Sequence, residues 1–134
     1  MNNFSILVVE DDEIDIENIQ RSFKKINLTN NVYYVNDGIE AKEFIEKEEV
    51  KNLIILLDLN MPRMSGIEFL EWLRYSKNSN YPVIILTTSA EEIDKKQAYK
   101  NCISGYILKP VDHIQFIERV AVLGKYWSIC ELSD

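Results

Sequence analysis

The sequence predicts an α/β fold: a (βα)5 chain in which five short strands form one parallel, doubly wound sheet with helices on both faces. Three observations lead to this prediction. Five short runs rich in Val, Ile, Leu or Tyr recur along the chain, as strands do. Each run is followed by a segment whose apolar residues return at the three- and four-residue steps of a helix. The middle run, at 53–57, is entirely aliphatic, which is typical of a strand covered on both faces.

The predicted strands are short and the joins between elements are short as well. Each strand therefore returns to the same sheet through a right-handed crossover helix. No linker-like stretch divides the 134 residues, so we expect one domain. The five predicted strands lie at 4–9, 32–35, 53–57, 83–86 and 106–108.

Four of the five predicted helices carry a clear apolar stripe that can cover the sheet, and the fourth helix has a weaker one. The second helix follows Asp37 and Gly38, the third follows Gly66, and the fifth follows Asp112, which suits the N-cap position. In chain order the stripes are Ile16, Ile19, Phe23 and Ile26; Ala41, Phe44 and Ile45; Ile67, Leu70 and Leu73; Ile93, Ala98 and Cys102; and Phe116, Ile117, Val120 and Leu123.

Composition and charge describe a globular chain, with 46% hydrophobic and 28% charged residues. The net charge of -7 argues against nucleic-acid binding, which usually needs a basic surface. No apolar stretch approaches the ~20 residues that span a bilayer, and the first residues lack the profile of a secretory signal. We therefore expect a cytoplasmic protein without membrane contact. Cys102 and Cys130 have no metal-ligand spacing, and we expect buried or half-buried thiols.

Acidic residues follow the first and third predicted strands. Glu10, Asp11 and Asp12 end the first strand, and Asp58 ends the third. Ligands of open parallel sheets bind at the carboxyl ends of the strands, so these acids converge if the two strands are neighbours. Clustered carboxylates hold protons or bind a cation, and oxygen ligands without His or Cys favour Mg²⁺ over a larger Ca²⁺ cage. We expect Asp12 to act only as a helix cap.

Two further predicted strands end in side chains that can bind an anion. Thr87 and Thr88 follow the fourth strand, and Lys109 follows the fifth. A hydroxyl and an ammonium at the same edge as the acids would donate to a bound anion. Taken singly, each of these residues is more often structural, but four strand ends indicate the same site.

Four motifs, in this order, resemble the receiver domain of two-component response regulators. They are Val-Glu-Asp-Asp at 9–12, Leu-Leu-Asp-Leu-Asn-Met-Pro-x-Met-x-Gly at 56–66, Leu-Thr-Thr-Ser at 86–89 and Gly-Tyr-Ile-Leu-Lys-Pro at 105–110. Asn-Asp-Gly at 36–38 falls between the first two. The resemblance implies a flavodoxin-like three-layer sandwich with the strand order 2-1-3-4-5. It also implies a single receiver domain over 1–134 without an output domain.

The resemblance further implies a phosphoryl-transfer site. Asp58 would be the phosphoacceptor, taking its phosphoryl group from a phosphohistidine on a sensor histidine kinase or phosphotransfer protein. Mg²⁺, for which Mn²⁺ can substitute, would be held by Asp11, Asp58 and the backbone carbonyl of Asn60, with Glu10 acting directly or through water. The chain would be a stoichiometric acceptor that assists its own phosphorylation and dephosphorylation, not an enzyme.

Phosphorylation would then switch the surface of the molecule. By resemblance, Lys109 and Thr87 would bind two other phosphoryl oxygens, and the movement of Thr87 would let Tyr106 turn inward. The surface of the fourth helix, fifth strand and fifth helix would then bind a downstream protein. The alternative for Tyr106 is an ordinary half-buried strand aromatic. Thr88 is bulkier than the alanine frequent at this position in the family, which predicts a longer-lived phosphoryl group.

The motifs also resemble those of standalone regulators that serve bacteriophytochrome-type kinases. In that subgroup, residues around the last helix support homodimers, so Tyr126 and Trp127 are candidate interface anchors. The alternative is an aromatic pair that closes the end of the core, and the sequence favours neither.

Other functions stay open at this point. A haloacid-dehalogenase-type phosphatase also forms an aspartyl phosphate, but it usually has a second aspartate where this chain has Asn60. A flavin or nucleotide module needs a phosphate-cradling loop, and the acids at 10–12 would repel that ligand. A receiver can also act as a docking surface, although that form usually lacks the acceptor, the metal acid or the lysine, or it can act as a sink for phosphoryl groups.

Overall fold

The computed structural model describes residues 3–133, and within them it contains five strands and five helices that alternate as predicted. A short π-helical turn, Trp72–Ser76, extends the third helix. The elements are β1 (Ser5–Val9), α1 (Glu13–Lys25), β2 (Val32–Val35), α2 (Gly38–Lys47), β3 (Leu53–Leu57), α3 (Gly66–Glu71), β4 (Val83–Thr87), α4 (Glu92–Lys100), β5 (Gly105–Leu108) and α5 (His113–Ile129).

The five strands are parallel and form one sheet in the order β2-β1-β3-β4-β5. This order confirms the predicted doubly wound, flavodoxin-like architecture. β1 and β3 are neighbours in register, with Val9 beside Leu57. The residues that follow them, Glu10 and Asp58, therefore leave the sheet side by side.

The sheet divides the core into two halves, because alternate strand residues point to opposite faces. On one face, Leu7 and Ile55 pack with side chains of α2, α3 and α4. On the other face, Ile6 and Ile54 pack with side chains of α1 and α5. Each fully buried Leu or Ile contributes about 1.5–3 kcal/mol through the removal of apolar surface from water. β3 is buried along its whole length, which its aliphatic run predicts, and it is the middle strand of the sheet.

The expected apolar stripe of α4 is wrong for two of its three residues. Ala98 is buried, but Ile93 is 64% exposed, and Cys102 lies beyond the helix with a left-handed φ of 59°. Ile93 and Ala98 are five residues apart, a step that separates them by about 140° around a helix. α4 is therefore anchored mainly by Ala98 and by the buried Asn101 at its C-cap. The thiol of Cys102 is exposed, contrary to expectation, whereas Cys130 is half-buried as expected.

The aromatic pair near the end of α5 is divided between core and surface. Trp127 is 3% exposed, and its ring meets that of Phe4 edge-on with a centroid distance of 6.4 Å. Tyr126 is 58% exposed. Of the two alternatives left open for this pair, core closure describes Trp127, whose side chain is buried beneath α5, whereas Tyr126 lies on the surface.

Within residues 3–133, none of the helices combines the length and the apolar character that crossing a bilayer requires.

Candidate functional site

The backbone hydrogen bonds of the sheet continue one residue past β1 and β3 and thereby fix two acids. The Glu10 N–H donates to the Val35 carbonyl, and the Asp58 N–H donates to the Val9 carbonyl, each at 3.0 Å. Carboxylate oxygens of Glu10, Asp11 and Asp58 all lie within 4.8 Å of one another. Glu10 and Asp58 are buried and Asp11 is exposed, so the cluster opens to solvent on one side.

The loop between β3 and α3 brings Asn60 to the same cleft. Asn60 lines the cleft together with Asp11 and Asp58, and its N–H donates to Asp58 Oδ1 at 3.4 Å. The loop closes through Gly66, whose N–H donates to the Leu59 carbonyl at 3.0 Å. A Cβ on Gly66 would lie 2.4 Å from the carbonyl oxygen of Asp58, so this close approach requires glycine.

The start of α2 supports the same loop from the side. The Gly38 N–H donates to the Met64 carbonyl at 3.1 Å. Asp37, the N-cap of α2, accepts from Arg63 Nε at 2.6 Å and from the Glu40 N–H at 2.9 Å. The hydrogen bond from Arg63 holds the pKa of the Asp37 carboxyl below its ordinary value. The Asn-Asp-Gly motif therefore positions the β3–α3 loop, a role that sequence reasoning did not assign.

Lys109 extends from the end of β5 into the acidic cluster. Its side chain is 7% exposed, and its Nζ lies 2.6 Å from Glu10 Oε1, 2.7 Å from Asp15 Oδ2 and 3.4 Å from Asp58 Oδ2. The Lys109 N–H donates to the Thr87 carbonyl at 2.8 Å, which fixes the backbone from which the side chain reaches inward. The structure thus brings the predicted lysine and the predicted acids together.

Negative charge exceeds positive charge at this site, because the carboxylates of Glu10, Asp11, Asp15 and Asp58 surround one ammonium. Burial, followed by repulsion from Asp58, raises the pKa of Glu10 to about 8 against the attraction of Lys109. Burial by itself lowers the pKa of Lys109, but Glu10, Asp15 and Asp58 outweigh it and hold that pKa above its ordinary value. Lys109 therefore stays protonated. The excess of acidic groups over this one ammonium favours the binding of a second cation.

The end of β4 is tied to the loop that precedes α4. Thr87 is fully buried, and its Oγ1 accepts from the Ser89 N–H at 3.4 Å. The half-buried Tyr106 donates its hydroxyl hydrogen to the Ser89 carbonyl at 2.8 Å. Thr88 lines the cleft beside Asp58. The Thr87 and Tyr106 side chains thus contact the backbone of the same loop residue.

Two acids of α1 differ in what they do. Asp12 caps the helix, since its side chain accepts from the Asp15 N–H at 3.0 Å, as expected of a capping residue. Asp15 contacts the Lys109 ammonium, and sequence reasoning missed it because no strand end marks its position. The available signal was its place in the first turn of a helix that begins beside Glu10 and Asp11.

This fold, with an aspartate after β3 between acids and a lysine, is that of a receiver domain. The family model for the response regulator receiver domain matches residues 6–121, and the chain belongs to that family. Receiver domains act as phosphoacceptors in two-component signalling, are phosphorylated by histidine kinases and bind a divalent metal.

Individual relatives extend over nearly the whole chain. The probable methanogenesis regulatory protein FilR2 of Methanothrix harundinacea is 31% identical over 129 residues, covering 92% of this chain and 83% of the relative. The response regulator Rcp1 of Synechocystis is 29% identical over 128 residues, covering 91% and 87%.

Solved structures of response regulators share the fold. The phosphorylated cyanobacterial phytochrome response regulator RcpA superposes with a TM-score of 0.88 at 28% identity, covering 98% of both chains. The Mn²⁺-bound form of Rcp1 gives a TM-score of 0.86 at 28% identity, covering 98% of this chain and 99% of the other.

Proposed function

We propose that this chain is a response regulator that accepts a phosphoryl group on Asp58 from the phosphohistidine of a sensor histidine kinase. The observation that carries this proposal is the environment of the Asp58 carboxylate. It is buried at the end of the central strand, beside Glu10 and Asp11 and 3.4 Å from the Lys109 ammonium. A nucleophilic carboxylate and an adjacent fixed cation are the two elements that phosphoryl capture needs.

The transfer itself is a displacement at phosphorus. An oxygen of the ionised Asp58 carboxylate attacks the phosphorus, and the P–N bond of the phosphohistidine breaks as the new P–O bond forms. The imidazole leaves with the electron pair of the broken bond and takes a proton from solvent. Lys109 donates to one phosphoryl oxygen, where charge develops, and Thr87 donates to another.

Mg²⁺ is the proposed cofactor, and the donor set fits it. The three carboxylates supply hard oxygen ligands, with neither His nor Cys in the group. Glu10, Asp11, Asp58 and the backbone carbonyl of Asn60 would hold the ion. When bound, Mg²⁺ would offset the negative charge of the acids and of the phosphoryl oxygens. The similar Rcp1 has a solved Mn²⁺-bound form, which supports the binding of a divalent metal by this chain.

The signal is proposed to leave the site through the loop between β4 and α4. When Thr87 donates to a phosphoryl oxygen, the loop that contacts its hydroxyl moves with it. Tyr106 follows, because its hydroxyl is bonded to the Ser89 carbonyl of that loop. The surface of α4, β5 and α5, which exposes Ile93, Tyr99 and Leu108, would then bind a downstream protein.

Replacement of the acceptor tests this function. Incubation of the purified chain with acetyl phosphate and Mg²⁺ is expected to give a hydroxylamine-labile phosphoryl group, and Asp58→Asn should abolish it. Asp12→Asn is the matched control, since asparagine keeps the helix cap and the variant should still be labelled. Chelation of the metal should stop labelling of the wild type. Persistent labelling of Asp58→Asn would place the acceptor elsewhere.

A phytochrome-type kinase is the proposed phosphoryl donor. The support is the similarity to RcpA and Rcp1, of which RcpA is described as a phytochrome response regulator. Transfer from each purified histidine kinase of the source organism should be fastest from one with a phytochrome-type sensor. Faster transfer from another class of kinase would contradict this assignment and leave the role of Asp58 intact.

A homodimer through α5 is proposed as well, with Tyr126 and not Trp127 at its centre. Val122, Tyr126 and Ile129 recur at four- and three-residue steps on α5 and are 63%, 58% and 80% exposed. Such a stripe on a helix face can be covered by a second copy of the same stripe. Sedimentation should show a dimer that Tyr126→Glu dissociates. A monomer at high concentration, with and without beryllofluoride as a phosphoryl mimic, would remove this proposal.

A further inference from the structure

We propose that Asp15 is a positioning residue that holds the Lys109 ammonium before phosphorylation and releases it to the incoming phosphoryl group. This role depends on the proposed functions of Asp58 and Lys109 and adds a residue from α1 to the same site. Asp15 contacts neither the acceptor nor the metal acids in the hydrogen bonds of the described residues, and it acts through Lys109.

In the unphosphorylated site, each of the three N–H donors of the Lys109 ammonium has a carboxylate partner. An ammonium has three N–H donors, and three carboxylates approach Lys109 Nζ: Glu10 at 2.6 Å, Asp15 at 2.7 Å and Asp58 at 3.4 Å. A phosphoryl oxygen can therefore gain the lysine only when one carboxylate gives up its donor.

Asp15 is the carboxylate that can give up its donor most easily. Glu10 is 2% exposed, and loss of its partner would leave a buried carboxyl group without this hydrogen bond, where water cannot replace it. Asp58 carries the phosphoryl group and stays beside the lysine. The Asp15 side chain is 22% exposed, so water can replace the ammonium that it loses.

The distances also show that Asp15 draws the lysine away from the acceptor. Nζ lies closer to Asp15 and Glu10 than to Asp58. The contacts of the ammonium with Glu10 and Asp58 do not involve Asp15 and would remain. Replacement of Asp15 by a neutral residue would therefore remove a competitor for Lys109 and one negative charge beside the incoming phosphoryl group, and it would leave the lysine in place.

The test compares phosphorylation rates of Asp15→Asn and wild type with acetyl phosphate at saturating Mg²⁺. A small donor is used because Asp15 lies near the surface, where a kinase could touch it. Asp15→Asn is expected to be phosphorylated about threefold to fivefold faster, the size of effect that one partly exposed charge pair can give. Glu13→Gln is the matched control, since Glu13 is an exposed acid of the same helical turn that lines the same cleft. Its rate should stay within about twofold of wild type.

The lysine itself supplies a second readout that a purely structural role would not change. In ¹H–¹⁵N NMR spectra of the lysine ammonium groups, the Lys109 signal, assigned with Lys109→Arg, should shift in Asp15→Asn and remain unshifted in Glu13→Gln. An unchanged or slower rate for Asp15→Asn, an equal acceleration in Glu13→Gln, or an unshifted Lys109 signal would each overturn the role of Asp15. Labelling of Asp58→Asn would instead overturn the proposed acceptor, which separates the two failures.

Discussion

Arg63 lies outside the cleft, yet its ion pair with Asp37 fixes the loop that carries Asn60. Arg63 has a left-handed φ of 64°, a conformation that is strained for a residue with a Cβ. The pair with the buried Asp37 and the bond from Gly38 to the Met64 carbonyl hold the loop in this conformation. At the scale of single residues, the site therefore depends on side chains that do not touch it.

The Arg63–Asp37 pair predicts that stability depends on pH. The folded-state pKa of Asp37 is lowered, so the pair stabilises the fold above the unfolded-state pKa of about 4 and is lost as pH falls through the lower folded value. Arg63→Met should therefore lower the free energy of unfolding at about pH 6, and this effect should become smaller as the pH falls below about 4. Urea denaturation at each pH measures the difference.

Arg119→Met provides the comparison, because Arg119 donates to the Leu108 carbonyl, which does not titrate. Its effect on the free energy of unfolding should stay constant over the same range. A constant effect of Arg63→Met would contradict the role given to the carboxylate.

The bulk of the Thr88 side chain is expected to lengthen the lifetime of the phosphoryl group on Asp58. Its side chain lines the cleft beside Asp58, where a water molecule must approach to hydrolyse the acyl phosphate. Thr88→Ala opens this approach and should shorten the lifetime severalfold, measured as decay of the radiolabel after removal of the donor. Thr88→Val keeps the bulk of the side chain and should decay as the wild type does. Equal decay in Thr88→Ala and wild type would remove the steric explanation.

At the scale of elements, the approach of the α3 N-terminus to the end of β3 sets the position of the acceptor. Gly66→Ala would force a Cβ towards the carbonyl oxygen of Asp58, which lies 2.4 Å from the ideal Cβ position. We expect a loss of about 1–3 kcal/mol in the free energy of unfolding and slower phosphorylation, because backbone must move at the acceptor itself.

Gly105→Ala is the control for that substitution. Its new Cβ would meet the Ile84 Cδ1 atom at 3.3 Å, a side-chain atom that can shift. A smaller loss of stability and an unchanged phosphorylation rate are expected, as measured by thermal or urea denaturation and by labelling. An equal effect of the two substitutions would show that the Asp58 carbonyl is not the limiting contact.

The elements differ in how well their sequence predicts them. The aliphatic run of β3 and the apolar stripe of α1 predict burial directly. The spacing of residues along a strand or helix fixes which side chains share a face, and an apolar face is buried. α4 has little to bury, and its apolar spacing therefore does not identify its buried face: of the predicted stripe only Ala98 is buried, whereas Ile93 and Cys102 lie on the surface. The clustering of the acids that follow β1 and β3 was predictable, because the carboxyl ends of parallel strands lie at the same edge of the sheet. The contact of Asp15 with Lys109 was not predictable in this way, because it joins residues 94 positions apart and Asp15 follows no strand.

At the scale of the whole molecule, the half of the core beneath α1 and α5 is closed by Trp127. Trp127→Ala would remove a buried indole that packs on Phe4, and we expect a loss of about 3–5 kcal/mol in the free energy of unfolding. Tyr126→Ala, the neighbouring surface aromatic, should change stability by about 0.5 kcal/mol or less. Equal effects in urea denaturation of the monomer would contradict the division of the pair between core and surface.

Lys109 is connected to both helix layers. Through Asp15 its ammonium is joined to the layer of α1 and α5, and through its own backbone it is joined to Thr87, whose hydroxyl contacts the loop leading to α4 in the other layer. A change in the partners of Lys109 would therefore alter contacts in both helix layers at the same time.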